Sequence, residues 1–180
     1  MVSDTAVLVI DMLNSYQHED AEKLVPSVAE IIDPVAGLVA AAREREDVDL
    51  VYVNDNYGDF TADHDEIVRS ALEGERPDLV KPLVPEDGDL FLEKVRHSAF
   101  YATPLSYLLR QLASKRLILT GQVTEQCILY TALDAYMRHF QVIVPADGVA
   151  HIDEELGKAA LRMMQENMRA EIMTAEKCLG

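Results

Sequence analysis

A chain of 180 residues is long enough to bury a real core and short enough for one domain. About half its residues are apolar (49%), which excludes a disordered chain; with no Trp, the core must rest on Val, Ile, Leu, Ala and Met. Acidic residues outnumber basic ones 32 to 16, for a formal net charge of -16. Such a surface repels phosphate backbones and anionic lipid, so neither nucleic acid nor membrane is expected as a partner.

Thr5–Ile10 (TAVLVI) reads as a strand buried on both faces, closed by Asp11. Its apolar run is too short, and too bare of preceding basic residues, for a signal peptide. No apolar stretch approaches the roughly 20 residues that a bilayer span needs. Apolar residues at helical spacing over 26–45 predict a helix, and residues 50–53 a second strand closed by Asn54, Asp55 and Asn56. The acidic stretch 63–75 predicts a surface helix. Pro77, Pro82 and Pro85 then break regular structure before a third strand over 89–93. Residues 104–112 predict a helix with Thr103 as N-cap. A strand over 116–120, a helix over 125–139, the strand Gln141–Pro145, a helix over 153–168 and a last strand over 170–173 complete the series. Strand and helix alternate throughout, without linker or internal repeat. The expectation is a single α/β domain over residues 1–180, a three-layer α/β/α doubly wound fold with a mainly parallel six-stranded sheet.

In such a sheet, ligands bind beyond the carboxyl ends of the strands. Asp11 follows the first strand, Asn54 and Asp55 the second, Lys94 the third, the Gly121–Cys127 segment the fourth, and Asp147 the fifth. A carboxylate, an ammonium and a thiol thus fall on one edge. Cys127 lies at the start of a predicted helix, where N–H groups and a nearby cation lower a thiol's pKa. It reads equally as a nucleophile or as a small buried packing residue. Asp11 divides evenly between cap and general base, and a Lys after a strand is most often simply solvated. Cys127 and Cys178 have no framework spacing, which argues for free thiols in a reducing, cytoplasmic setting.

Together these residues are more specific. Val9-Ile10-Asp11-Met12, Lys94-x-x-x-Ser98-Ala99-Phe100 and Thr120-Gly121-x-Val123-Thr124-x-x-Cys127 resemble the isochorismatase-like cysteine hydrolase family of nicotinamidases and N-carbamoylsarcosine amidases. Asp134-Ala135-Tyr136 and Val144-Pro145-Ala146-Asp147 fit as well. The resemblance implies a catalytic triad of Asp11, Lys94 and Cys127. It also implies an oxyanion hole from the Thr124 and Cys127 N–H groups, and a cis peptide at Val123-Thr124. A hydrolase acting on a small amide or carbamoyl C–N bond through a thioester is expected; vinyl-ether hydrolysis and a noncatalytic or redox-sensing thiol are the alternatives. Nicotinamidases of the family bind a metal through Asp-x-His, but here Tyr57 stands where the first His would be, so no metal or other cofactor is expected. Asn14, Tyr16, Tyr57, Phe100 and Tyr130 are the pocket candidates, and His97 faces either pocket or solvent. A homodimer or homotetramer is the oligomeric expectation, with the Met-rich stretch 161–168 as either interface or core.

Overall fold

The computed structural model describes residues 4–180. Seven strands form one sheet: β1 Thr5–Ile10, β2 Val48–Asp55, β3 Leu90–Lys94, β4 Arg116–Gln122, β5 Gln141–Pro145, β6 Val149–Ala150 and β7 Glu171–Met173. Their order is β3-β2-β1-β4-β5-β7, with β6 paired to β4, and every pairing is parallel. The doubly wound α/β expectation holds. The seventh strand, β6, has two residues, too few for a periodic apolar signal.

Side chains alternate across the sheet at period two. Val7 and Val9 of β1 face one layer, where α1 (Ala21–Arg43), α2 (His64–Leu72) and α3 (Pro77–Val80) lie. Ala6, Leu8 and Ile10 face the other, with α4 (Leu105–Gln111), α5 (Leu129–Met137) and α6 (Glu154–Met168). Both faces are covered, which is why the central strands read as unbroken apolar runs.

Helix α1 begins five residues earlier than its periodicity predicts and carries Pro26 and Pro34 inside it. Each proline frees the carbonyl four residues before it, on Glu22 and Glu30, and both of those residues are exposed, so water satisfies them. Leu24, Val28, Ile31, Val35, Leu38 and Val39 are buried. At about 1.5–3 kcal/mol each, they outweigh roughly 3 kcal/mol per proline. By length and composition α1 is also apolar enough to cross a bilayer, which corrects the sequence reading, but its apolar face is a core face.

The proline-rich stretch differs from expectation too. Pro77 stands at the first turn of α3, and Pro82 sits in a 3-10 turn, Lys81–Leu83, which buries Leu79, Val80 and Leu83. Helix α2 is capped by a reciprocal pair, Asp63 accepting from the Glu66 N–H and Glu66 from the Asp63 N–H. The Met-rich stretch divides, with Met164 and Met168 in the core and Met163 exposed.

Register at the centre of the sheet sets up everything that follows. Ile10 of β1 pairs with Gly121 of β4, and Gly121 has φ +114°. A Cβ on Gly121 would stand 2.1 Å from the Ile10 carbonyl oxygen. Only glycine lets the two strands remain paired one residue before Asp11. Gly121→Ala is therefore expected to cost about 1–3 kcal/mol, or about 2–12 °C in Tm, read by thermal denaturation; an unchanged Tm would show that the strand ends move apart freely.

Candidate active site

Asp11 leaves β1 in a left-handed conformation (φ 55°) and is held on every side. Its N–H donates to the Val53 carbonyl (3.1 Å), and its carbonyl accepts from Gln122 Nε2 (2.6 Å). The carboxylate Oδ1 accepts from the Asp55 N–H (2.7 Å), and Oδ2 lies 2.9 Å from Lys94 Nζ. Lys94 ends β3, a strand away from β1 beyond β2, so its long side chain crosses beneath the end of β2. It is fully buried, 3.2 Å from Asp55 Oδ2 and 3.8 Å from Cys127 Sγ. Cys127 sits in a π turn, Thr124–Ile128, between β4 and α5, where its thiol feels the Asp11 carboxylate. The three residues named from sequence therefore meet, around one ammonium.

Their electrostatics are set by burial against pairing. Burial raises the Asp11 carboxyl above its ordinary value even though Lys94 pulls it down. Burial works against the Lys94 ammonium too, but the charges of Asp11 and Asp55 overcome it and hold the amine protonated. The Cys127 thiol is raised well above its usual range by burial and by the Asp11 charge, against the opposing pull of Lys94. The sequence expectation of a lowered thiol is thus reversed: burial, with the Asp11 charge, favours a neutral thiol beside an Asp–Lys ion pair, despite the Lys94 ammonium 3.8 Å from the sulfur.

A further backbone donor stands beside the two of the oxyanion-hole expectation. Thr124 is buried, and its hydroxyl donates to the Ala150 carbonyl (2.9 Å). Val123, one residue earlier, lines the cavity with Cys127, and its backbone N–H favours the thiolate. The cis peptide is Gln122–Val123, one bond before the expected position.

Beside the sulfur lies a cavity of about 300 Å³ lined by Asp11, Asn14, Tyr57, His97, Gln126 and Cys127, among others. Two of the five pocket candidates, Asn14 and Tyr57, line it. The Tyr57 ring is half-exposed, while its hydroxyl donates to the Leu13 carbonyl (3.0 Å) and is raised by burial and by the charges of Asp11 and Asp55. Tyr16 instead lies buried behind the site: its hydroxyl, 3.4 Å from Gln122 Nε2, is pushed by burial up to about 12. Phe100 packs in the core against Phe140, with Arg138 over its ring. Tyr130 stands on the far side of His97, edge-on at 5.4 Å. Apolar character placed Phe100 and Tyr16 inside, and no periodicity separates an aromatic that packs from one that faces a ligand.

Sequence reasoning missed His18, Gln122 and Gln126 in the cavity wall, and Asp55 as the second carboxylate on Lys94. Asn54 was legible only as a turn-former; it pins the Leu13 loop, accepting from the Leu13 N–H and donating to its carbonyl. The remaining motif residues brace the site. Ser98 donates to Asp134 (2.6 Å), and Thr131 accepts from the Ala99 N–H, which ties the loop after Lys94 to α5. Asp147 accepts from the Ala175 N–H, away from the chemistry. Both cysteines are free and buried, Cys178 in the core layer on the opposite side of the sheet from Cys127. Among the described residues no group of three or more His, Cys, Asp or Glu has the geometry to hold a metal ion.

A parallel α/β sheet thus brings a thiol, a carboxylate and an ammonium together at its carboxyl edge. An isochorismatase domain model matches residues 5–177. The uncharacterised isochorismatase family protein YaaI of Bacillus subtilis is 36% identical over 98% of this chain and 97% of its own. The structure of N-carbamoylsarcosine amidase from Thermoplasma acidophilum superposes with a TM-score of 0.78 at 26% identity, covering 98% of this chain and 99% of that one. Maleamate amidohydrolase of Pseudomonas putida is 29% identical over 77% of this chain and 68% of its own. The chain belongs to the isochorismatase family and is a hydrolase.

Proposed function

We propose that this hydrolase cleaves the C–N bond of a small amide or carbamoyl compound through a thioester on Cys127. The observation that carries the reading is the Lys94 ammonium, 2.9 Å from the Asp11 carboxylate and 3.8 Å from the Cys127 sulfur, with Asp11 and Cys127 both on the wall of a small cavity. Asp11 is placed to take the thiol proton as the sulfur attacks the substrate carbonyl. Lys94 offsets the negative charge passing from carboxylate to sulfur. The N–H groups of Val123 and Cys127 are the donors assigned to the developing oxyanion. Protonated Asp11 then returns its proton to the departing nitrogen, leaving the acyl–sulfur bond. A water gives its proton to Asp11 and its oxygen to the acyl carbon; the thiolate leaves and recovers the proton. Carboxylic acid and amine, or ammonia, are the products.

Two observations favour C–N hydrolysis over vinyl-ether cleavage. The thiol, carboxylate and ammonium are in mutual contact, an arrangement that nucleophilic acyl transfer needs and ether cleavage does not. Relatives named as amidase and amidohydrolase also match most of the chain. The test is a screen of small amides, ureas and carbamoyl compounds for ammonia release, with rapid acid quench and intact-mass measurement. Turnover with an acyl adduct mapped to Cys127 is expected. Turnover with no adduct at any quench time, unchanged in Cys127→Ala, would overturn the mechanism.

A further inference from the structure

The cavity beside Cys127 has one sign of charge. Asp11, Asp20 and Asp55 line it, and among the described residues no Lys or Arg does. The nearest cation, Lys94, is fully buried behind the wall and shared between two carboxylates at 2.9 and 3.2 Å, so its charge is already balanced and one negative charge is left over. Asp20 at the rim is paired only with the exposed Lys23, at 3.2 Å. The wider molecule adds a net charge of -16 to the same field. A second observation agrees. Gln122 lines the cavity almost fully buried, its Nε2 donates to the Asp11 carbonyl, and its Oε1 has no hydrogen-bond partner. A buried acceptor left unpaired costs free energy until a donor arrives. The wall therefore offers acceptors and negative charge, and asks for donors.

We propose that this site selects its substrate by charge, taking neutral or cationic compounds rich in N–H donors, such as carboxamides, ureas or amides bearing an ammonium, and rejecting those that carry a carboxylate. This rests on the amide-hydrolase reading and names its substrate class. A carboxylate within the cavity meets Asp11, Asp20 and Asp55 with no cation free to pair with it. His18 and His97 also line the wall.

Alkylation of Cys127 tests the field without needing turnover. Iodoacetamide and iodoacetate each form a carbon–sulfur bond, release iodide and differ chiefly in charge; 2-bromoethylammonium, an unactivated bromide, adds a cationic reagent read against its own reference rate. Rates at pH 8.5 would be read by peptide mass spectrometry, which separates Cys127 from Cys178, and referred to 2-mercaptoethanol. In low salt the preference of Cys127 for iodoacetamide over iodoacetate is expected to exceed the reference by about tenfold or more. The cationic reagent should gain in the same direction. About 1 M NaCl should return both ratios toward the reference, and Asp20→Asn should shift them about twofold the same way. Iodoacetate reacting as fast as iodoacetamide relative to the reference would overturn the proposal. So would failure of the neutral and cationic reagents to label Cys127 at all. Failure of the amide reading shows separately, as no ammonia release from any amide with the alkylation ratios intact.

Discussion

Asp11→Asn is expected to abolish turnover, by about 10³-fold or more, while leaving the fold in place. Asparagine keeps the shape of the side chain and an oxygen for the Asp55 N–H, but it cannot take a proton from sulfur. The need for a base follows from the electrostatics. Burial and the Asp11 charge raise the Cys127 thiol, so at neutral pH the nucleophile is protonated until Asp11 accepts its proton. Because carboxylate and thiol act as a unit, Cys127→Ala should lose activity to a similar degree, and the double variant should be no worse than either single one. The pH profile follows with its sign fixed. Asp11 works only as the carboxylate, so kcat/KM falls as the pH drops through its pKa. That value is raised by burial, which places the acid limb above the ordinary carboxylate range of about 3.9. Lys94 and Cys127 are both raised, so neither supplies an alkaline limb near neutrality. Asp11→Asn retaining a tenth of wild-type activity, or an acid limb at or below the ordinary range, would remove Asp11 from the role of base.

How far the sequence revealed this arrangement depends on which physical signal each residue carries. The strand runs of β1, β4 and β5 are continuous and apolar because both sheet faces are covered, and they were readable to within about two residues. Asp11 and Cys127, which follow β1 and β4, were readable in consequence, and Lys94 as the end of the shorter β3. Strand order around Lys94 was not readable; the observed β3-β2-β1-β4 order makes Lys94 reach back from beyond β2. What was hidden depends on distances no pattern encodes. Asp55 looks like any turn-forming Asp until β2 is seen to run through it and bring its carboxylate to Lys94. Phe100 and Tyr57 are both aromatics in loops; one faces the core and the other the cavity, and only packing separates them. Val123 has no polar side chain, so the role proposed for its backbone N–H leaves no mark in composition.

Lys94→Met is the second large effect, and it separates structure from catalysis. Methionine matches the stem of lysine but removes the ammonium that Asp11 and Asp55 share, leaving two carboxylates facing each other in a buried site. Breaking a buried charge pair costs about 3–5 kcal/mol, which for a chain of this length lowers Tm by about 6–20 °C. That cost depends on pH in a defined direction. In the wild type the raised Lys94 amine stays protonated throughout pH 5–8, so its contribution is constant there. In the variant, burial acts on Asp11 with no cation to oppose it, and its folded-state pKa rises further. A carboxyl raised on folding favours the folded state at low pH, and that advantage is lost as the pH climbs through the folded value. The Tm deficit should therefore be largest near pH 8 and shrink toward pH 5. Adding Asp55→Asn removes one of the two facing anions and should recover part of the lost Tm without restoring turnover, because the sulfur still lacks its neighbouring cation. A deficit independent of pH, or a double variant that regains activity along with stability, would mean that Lys94 serves the site only by filling space.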